Sequence, residues 1–304
     1  MLKNKKIIVT GGAGFIGSHL VDKLVEFDNE VIVIDNESAN SNDRFYWNSQ
    51  AENYKYDICD YEKIRPLFDE VDYVFHLAAE ARIQPTLKDP ILAAKTNMLG
   101  TCTILQCARE SNVKRVIYSS TSSAYGLKNK IPFDEDMPND CLTPYSVAKT
   151  SGEELCKMYT KLFGLDTIIF RYFNVYGPRQ PLKGSYAPLV GIFLRQNKAG
   201  EPMTIIGDGE QRRDFTHVDD AVEANIKAAL FLTNPNPASG QVINVGTGIN
   251  YSVNDIANMI GGTTINLPAR EGEGRETLAN TTKLQALLGF KPKSKIKDFI
   301  NTNK

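Results

Sequence analysis

The sequence predicts an α/β fold: a parallel sheet covered by helices on both faces, followed by a smaller lobe. Two observations predict it. Short β-rich runs that are apolar on both faces alternate with longer helical patterns, and after Asn174 Pro and Gly become frequent and the elements shorten. Apolar strands separated by helices indicate a parallel sheet buried on both sides. In chain order, "KIIVT" at 6–10, "EVIVID" at 30–35, "YKYDI" at 54–58, "DYVFHLA" at 72–78 and "KRVIYSS" at 114–120 read as strands. "LDTIIFRYF" at 165–173 and "QVINVG" at 241–246 read the same way, and helical stretches fall at 15–27, 90–110 and 145–163. The last of these has a suitable N-cap in Thr143, Pro144 at the first helical position and a stop at Gly164. "PLKGSYAP" and "NPNPASG" read as loops. The expected division is a sheet domain from 1–173 and 217–246 and a smaller lobe from 174–216 and 247–304.

Bulk composition narrows the function classes. The chain has 304 residues, 23% charged and 42% hydrophobic, with a net charge of −1. These are ordinary values for a globular protein, and the scattered basic residues argue against nucleic-acid or membrane-surface partners. The basic start is followed by the short apolar run "IIV", broken by "TGG", so a secretion signal is not expected. No run approaches the roughly 20 apolar residues of a membrane span. The five cysteines (Cys59, Cys102, Cys107, Cys141, Cys156) show no Cys-x-x-Cys, which fits a reducing cytoplasm without disulfides or zinc. The three histidines lie far apart with no metal-ligand spacing, and no metal is expected.

"IIVTGGAGFIGSHL" sets Gly11, Gly14 and Gly17 between the first strand and the first helix. Glycine there permits a tight turn, close backbone approach to a pyrophosphate, and close helix–strand packing, with the helix N-terminus facing the phosphates. Asp35 follows at the end of the next strand, where a carboxylate accepts hydrogen bonds from ribose hydroxyls and repels a 2′-phosphate. The pattern predicts a Rossmann-type, doubly wound dinucleotide-binding domain that prefers NAD to NADP. Tyr145 and Lys149, in "PYSVAK", stand one helical turn apart and share a face. Alone, that pair is ordinary.

In this order, "TGGAGFIG", "HLAA" at 76–79, Asn97 in "NMLGT", "SSTSSAYG" at 119–126 and "PYSVAK" resemble the extended short-chain dehydrogenase/reductase family. "RYFNVYGPRQ" at 171–180, "RRDFTHVDD" at 212–220 and "PAREGEGRETLANTTKLQALLGFKP" at 268–292 extend the likeness over nearly the whole chain, toward its nucleotide-sugar epimerases. "NESANSND" departs from the usual glycine-containing loop after Asp35. The resemblance implies that NAD is held by Gly11, Gly14, Phe15, Ile16, Gly17, Asp35, Asn36, Ser38, Asp57, Ile58, Leu77, Ala78, Ala79, Asn97, Ser119 and Tyr172, together with Tyr145 and Lys149. It implies that Tyr145 is the catalytic acid/base, Lys149 its activator and a holder of the nicotinamide ribose, and Thr121 the group that relays the proton from the sugar's 4-oxygen. Ionising a tyrosine near neutrality costs about 4 kcal/mol. Two cations about 5 Å away, Lys149 and the nicotinamide, would each return roughly 3 kcal/mol at an effective dielectric of about 20.

The resemblance also separates the chemistries that start with oxidation at C4. Dehydratases carry Asp-Glu after the catalytic threonine and sugar-acid decarboxylases keep a glutamate there, whereas this chain has Ser122 and Ser123. What remains is 4-epimerisation through a transient 4-keto sugar, with no net redox change. The second lobe is expected to hold the nucleotide sugar through Arg82, Ser122, Asn174, Thr204, Ile206, Arg213, Arg270 and Glu273, with Thr121 and Tyr145 at the sugar. Thr277, four residues after Glu273, is expected near the C2 substituent, where a small residue leaves room for an N-acetyl group. UDP-N-acetylglucosamine and UDP-N-acetylgalactosamine are therefore expected substrates, alongside UDP-glucose and UDP-galactose. UDP-glucuronate, with Arg82 facing the carboxylate, is the alternative; a dehydratase or reductase of the same family, or a non-catalytic NAD sensor, ranks lower. The family also implies a homodimer through a four-helix bundle of 90–110 and 145–163. Leu155, Met158, Tyr159 and Leu162 form a stripe there that would serve an internal core equally well.

Overall fold

The computed structural model describes residues 2–39, 42–182, 188–231, 236–269 and 274–304. Strands β1 (Lys6–Thr10), β2 (Glu30–Ile34), β3 (Glu52–Tyr54), β4 (Tyr73–His76), β5 (Arg115–Thr121), β6 (Thr167–Tyr172) and β7 (Gln241–Val245) form one sheet. All neighbours are parallel, in the order β7-β6-β5-β4-β1-β2-β3. The chain reverses direction across the sheet between β1 and β4, which opens a crevice at the carboxyl ends of the strands. Register aligns those ends: Thr10 lies opposite both Ile34 and His76, and Thr121 opposite Tyr172.

The period of two divides the apolar strand residues between two cores. Ile7, Val9, Val31, Val33 and Phe75 pack under the helices Phe15–Glu26 and Val218–Leu230. Ile8, Ile32, Val74, Val116 and Ile169 pack under Thr101–Glu110 and Pro144–Phe163. Val190, Phe193, Met203, Ile205, Phe215, Ile256 and Ile300 build a third core in the second part of the chain. Leu284, Leu288 and Phe290 do not join it; they pack on the sheet. No helix among the described residues is long and apolar enough to cross a membrane.

Two elements differ from the sequence reading. The strand expected at 54–58 is Glu52–Tyr54. Asp57 ends it by folding into a turn, its Oδ1 accepting from the Cys59 amide at 2.8 Å and its carbonyl from Asp60 at 3.0 Å. The helix expected at 90–110 is divided into Pro90–Ala94, a wider turn at Lys95–Gly100, and Thr101–Glu110. The third helix agrees: Thr143 and Ser146 form a capping box, Pro144 opens the helix, and Gly164 closes it at φ +71°.

Candidate active site

The crevice begins at the glycine loop. Gly11 has φ +68°, and a Cβ there would sit 2.7 Å from the Ala78 nitrogen. At Gly17 a Cβ would lie 2.1 Å from the Gly11 carbonyl oxygen, so only hydrogen fits where the first helix meets the loop. Asp35 ends β2, its Oδ2 accepting from the Ala13 amide at 3.1 Å and its Oδ1 from Glu37 at 2.8 Å. Burial raises the Asp35 carboxyl above its ordinary pKa, and these amide bonds oppose the rise. A tight glycine turn, a helix N-terminus and an acid at the end of β2 fit an adenosine diphosphate whose ribose hydroxyls are free.

A cavity of about 870 Å³ runs from this loop to the end of β5. Of the expected cofactor residues, Gly11, Gly14, Phe15, Ile16, Gly17, Asp35, Asn36, Ser38, Ile58, Leu77, Ala78, Ala79, Ser119, Tyr145, Lys149 and Tyr172 line it. Asp57 and Asn97 do not line it. The Asp57 carboxylate is spent on its own turn. Asn97 lies behind the wall, donating to the Glu80 carbonyl at 3.0 Å and accepting from the Glu80 amide at 2.8 Å. It shapes the loop that carries Leu77 to Arg82 instead of facing a ligand.

At the inner end, the structure brings Thr121, Tyr145 and Lys149 together on the cavity wall. Thr121 Oγ1 accepts from the Ser123 amide at 3.1 Å. Burial raises the Tyr145 phenol, while a hydrogen bond with Thr121 and the charge of Arg82 pull it down. Lys149 is 2% exposed, its Nζ 4.3 Å above the ring of Tyr118. Burial brings its ammonium down to about 7, with Cys156 and Glu153 opposing. The Arg82 charge thus acts on Tyr145 in addition to the neighbouring Lys149, whose ammonium burial makes easier to deprotonate.

Arg82 stands at φ +81°, a strained backbone for a residue with a side chain. It lines both this cavity and a second one of about 580 Å³, as does Asn174. Thr204, Ile206 and Arg213 line the second cavity, and Ser122 the first. Thr277 lines neither among the described residues. It sits behind Asn174, its hydroxyl accepting from the Asp214 amide at 3.3 Å. Arg270 and Glu273 lie outside the described residues. Asp214, missed in the sequence, organises this region: its buried carboxylate accepts from Thr247, Gly248 and Ala279. Also missed was the buried pair between Glu153 of the helix Pro144–Phe163 and Arg171 of β6. A charge inside the apolar strand "TIIFRY" was its available signal.

Residues 7–246 match the family model described as the NAD dependent epimerase/dehydratase family. The chain belongs to this family. Its cofactor is NAD, and the glycine turn and Asp35 fit that cofactor. The UDP-glucose 4-epimerase of Mycolicibacterium smegmatis is 33% identical over 94% of this chain and 93% of its own. A crystal structure of UDP-glucose 4-epimerase with UDP-glucose from Thermotoga maritima superposes with a TM-score of 0.91 at 37% identity, covering 98% of this chain and 97% of that one. A UDP-N-acetylglucosamine 4-epimerase from Methanobrevibacter ruminantium M1, in complex with UDP-N-acetylmuramic acid, gives a TM-score of 0.91 at 32% identity, covering 99% and 97%. These relatives bear out the expected class, an NAD-dependent isomerase of nucleotide sugars.

Proposed function

We propose that this enzyme inverts C4 of UDP-N-acetylhexosamines, interconverting UDP-N-acetylglucosamine and UDP-N-acetylgalactosamine, and also accepts UDP-glucose and UDP-galactose. One observation carries the choice of reaction. Thr121, Tyr145 and Lys149 meet where the next two wall residues are Ser122 and Ser123, and the cavity's only acid among the described residues is Asp35 at its far end. Elimination across C5 and C6 needs a carboxyl acid or base beside the sugar, and none is there. Bound NAD supplies the hydride acceptor and donor.

The protein's part is to move one proton and hold the sugar. Tyr145 takes the proton of the 4-hydroxyl through Thr121 and returns it after the transient 4-keto sugar has turned over. Arg82 stabilises the phenolate and reaches the diphosphate where the two cavities join. Arg213 serves the nucleotide end, since a guanidinium donates in pairs to phosphate oxygens. We place Arg270 and Glu273 at that end from their sequence motif. We place Thr277 near the acetamido group from its sequence motif: it lines neither cavity itself but contacts Asn174, which lines both. We propose a sheet domain (1–173, 217–246) and a substrate lobe (174–216, 247–304), from which Thr282–Leu288 packs back on the sheet.

We also assign a cytoplasmic homodimer. Leu155, Met158 and Tyr159 of the expected stripe pack inward. Ile91, Leu99, Val147 and Leu162 are exposed on the two helical segments and suit a partner's helices. A monomer mass by light scattering at micromolar concentration would refute the dimer. UDP-glucuronate is the second reading, favoured by the Arg82 guanidinium between the cavities. Incubation with a panel of UDP-sugars and chromatographic separation of the products tests the choice. Turnover of UDP-glucuronate, or of unsubstituted hexoses alone, would overturn the N-acetyl assignment.

A further inference from the structure

Glu153 lies one helical turn beyond Lys149, which is itself one turn beyond Tyr145, so the three share a helix face. It is 0% exposed and makes a two-point ion pair with Arg171 of β6, Nη2 to Oε2 at 2.7 Å and Nε to Oε1 at 2.9 Å. The Ser120 hydroxyl, adjacent to Thr121 on β5, also donates to Glu153 Oε1. Arg171 is itself held by Asn139 Oδ1 at 2.6 Å and by the ring of Tyr125 at 4.6 Å. The helix is pressed on β5 nearby: Tyr118 donates to the Lys149 carbonyl at 3.0 Å, and a Cβ at Gly152 would lie 2.2 Å from the Tyr118 oxygen.

We propose that Glu153, clamped by Arg171 and Ser120, is a positioning residue: it keeps the Lys149 side chain charged and fixes the catalytic helix against the strand that ends in Thr121. This rests on the reading of Tyr145 and Lys149 as the working pair. The other groups around Lys149 cannot supply the counter-charge. Tyr118, beneath it on β5, is held neutral by burial. The Cys156 thiol is pushed far up by burial, and Tyr145 is raised as well. His76 on β4 is brought down to about 3 by burial and by Lys149, so it is uncharged. Arg82 and Arg171 are cations. Glu153, one turn along the same helix, is the carboxylate whose charge opposes the effect of burial on Lys149. A buried Glu–Arg pair costs desolvation that hydrophobic residues would avoid, which makes a role beyond stability the more economical account.

The test uses NAD-saturated protein, carbon-13-labelled in lysine, with Lys149→Met to identify the Lys149 signal. Glu153→Gln is expected to lower the Lys149 titration midpoint by about one pH unit or more. The alkaline fall in kcat on the UDP-sugar panel is expected to move down with it. Because Glu153→Gln leaves Arg171 unpaired in the core, the double variant Glu153→Gln/Arg171→Met is measured alongside. It is expected to recover the melting temperature while the Lys149 midpoint stays lowered. A double variant with the parent's melting temperature, titration and pH profile would reduce Glu153 to a structural role and overturn the proposal. The titration needs no sugar. A shifted midpoint in a protein that turns over none of the panel would sink the proposed function and leave the charge role of Glu153 standing; an unchanged midpoint with intact turnover would do the reverse.

Discussion

Burying Lys149 makes stability depend on pH in a direction that can be worked out. Its ordinary value is 10.5, and burial brings it to about 7. Between these limits the unfolded chain binds more protons at this site than the folded one, so stability rises with pH through the window and is lost as pH falls toward 7. The full difference, at about 1.36 kcal/mol per pH unit, is about 5 kcal/mol, and roughly half of it is crossed between pH 6 and pH 9. Lys149→Met keeps most of the side-chain volume and removes the titration. Urea unfolding of cofactor-free parent and variant at pH 6 and pH 9 reads the effect directly. The variant is expected to be the more stable at pH 6, with that advantage shrinking by about 2 to 3 kcal/mol at pH 9. Parallel changes in the two proteins, within about 0.5 kcal/mol, would show that Lys149 is not a desolvated ammonium.

Three further outcomes are expected. Tyr145→Phe should lower turnover at least about a hundredfold while leaving NAD affinity nearly unchanged, because it removes one oxygen from the wall; activity within about tenfold of the parent would contradict its acid/base role. Asp35→Ala should weaken NAD and narrow its advantage over NADP, since the carboxylate that refuses a 2′-phosphate is gone; an unchanged preference in titrations with both cofactors would count against it. Thr277→Tyr should suppress the N-acetylated pair selectively, because a ring fills the space behind Asn174 and crowds the acetamido group; equal losses on UDP-glucose and UDP-N-acetylglucosamine would refute that placement.

The sheet was legible because its strands are apolar on both faces and its helices carry their own punctuation, as with Thr143, Pro144 and Gly164 around the helix Pro144–Phe163. Local patterns placed β1, β2 and the glycine loop well, since their register and turn follow from neighbouring residues. The end of β3 was misread because Tyr54 to Ile58 alternates like a strand, while the Asp57 side chain forms a turn that periodicity does not encode. Asn97 was assigned to the cofactor from its motif, yet its amide serves the Glu80 backbone, a pairing fixed only by tertiary packing. The charge on Lys149 was likewise beyond the sequence: spacing puts it beside Tyr145, but desolvation decides how far it stays protonated. Glu153 and Arg171 lie 18 residues apart on a helix and a strand, and only the fold brings their opposite charges together.

In the proposed reaction C4 is oxidised and reduced within one active site, with inversion and no net redox change. The most direct measurement follows a UDP-sugar deuterated at C4 through turnover in the presence of excess unlabelled NADH. A 4-inverted product that keeps its deuterium at C4 is expected. Label lost to the added cofactor, or a product dehydrated across C5 and C6, would contradict it.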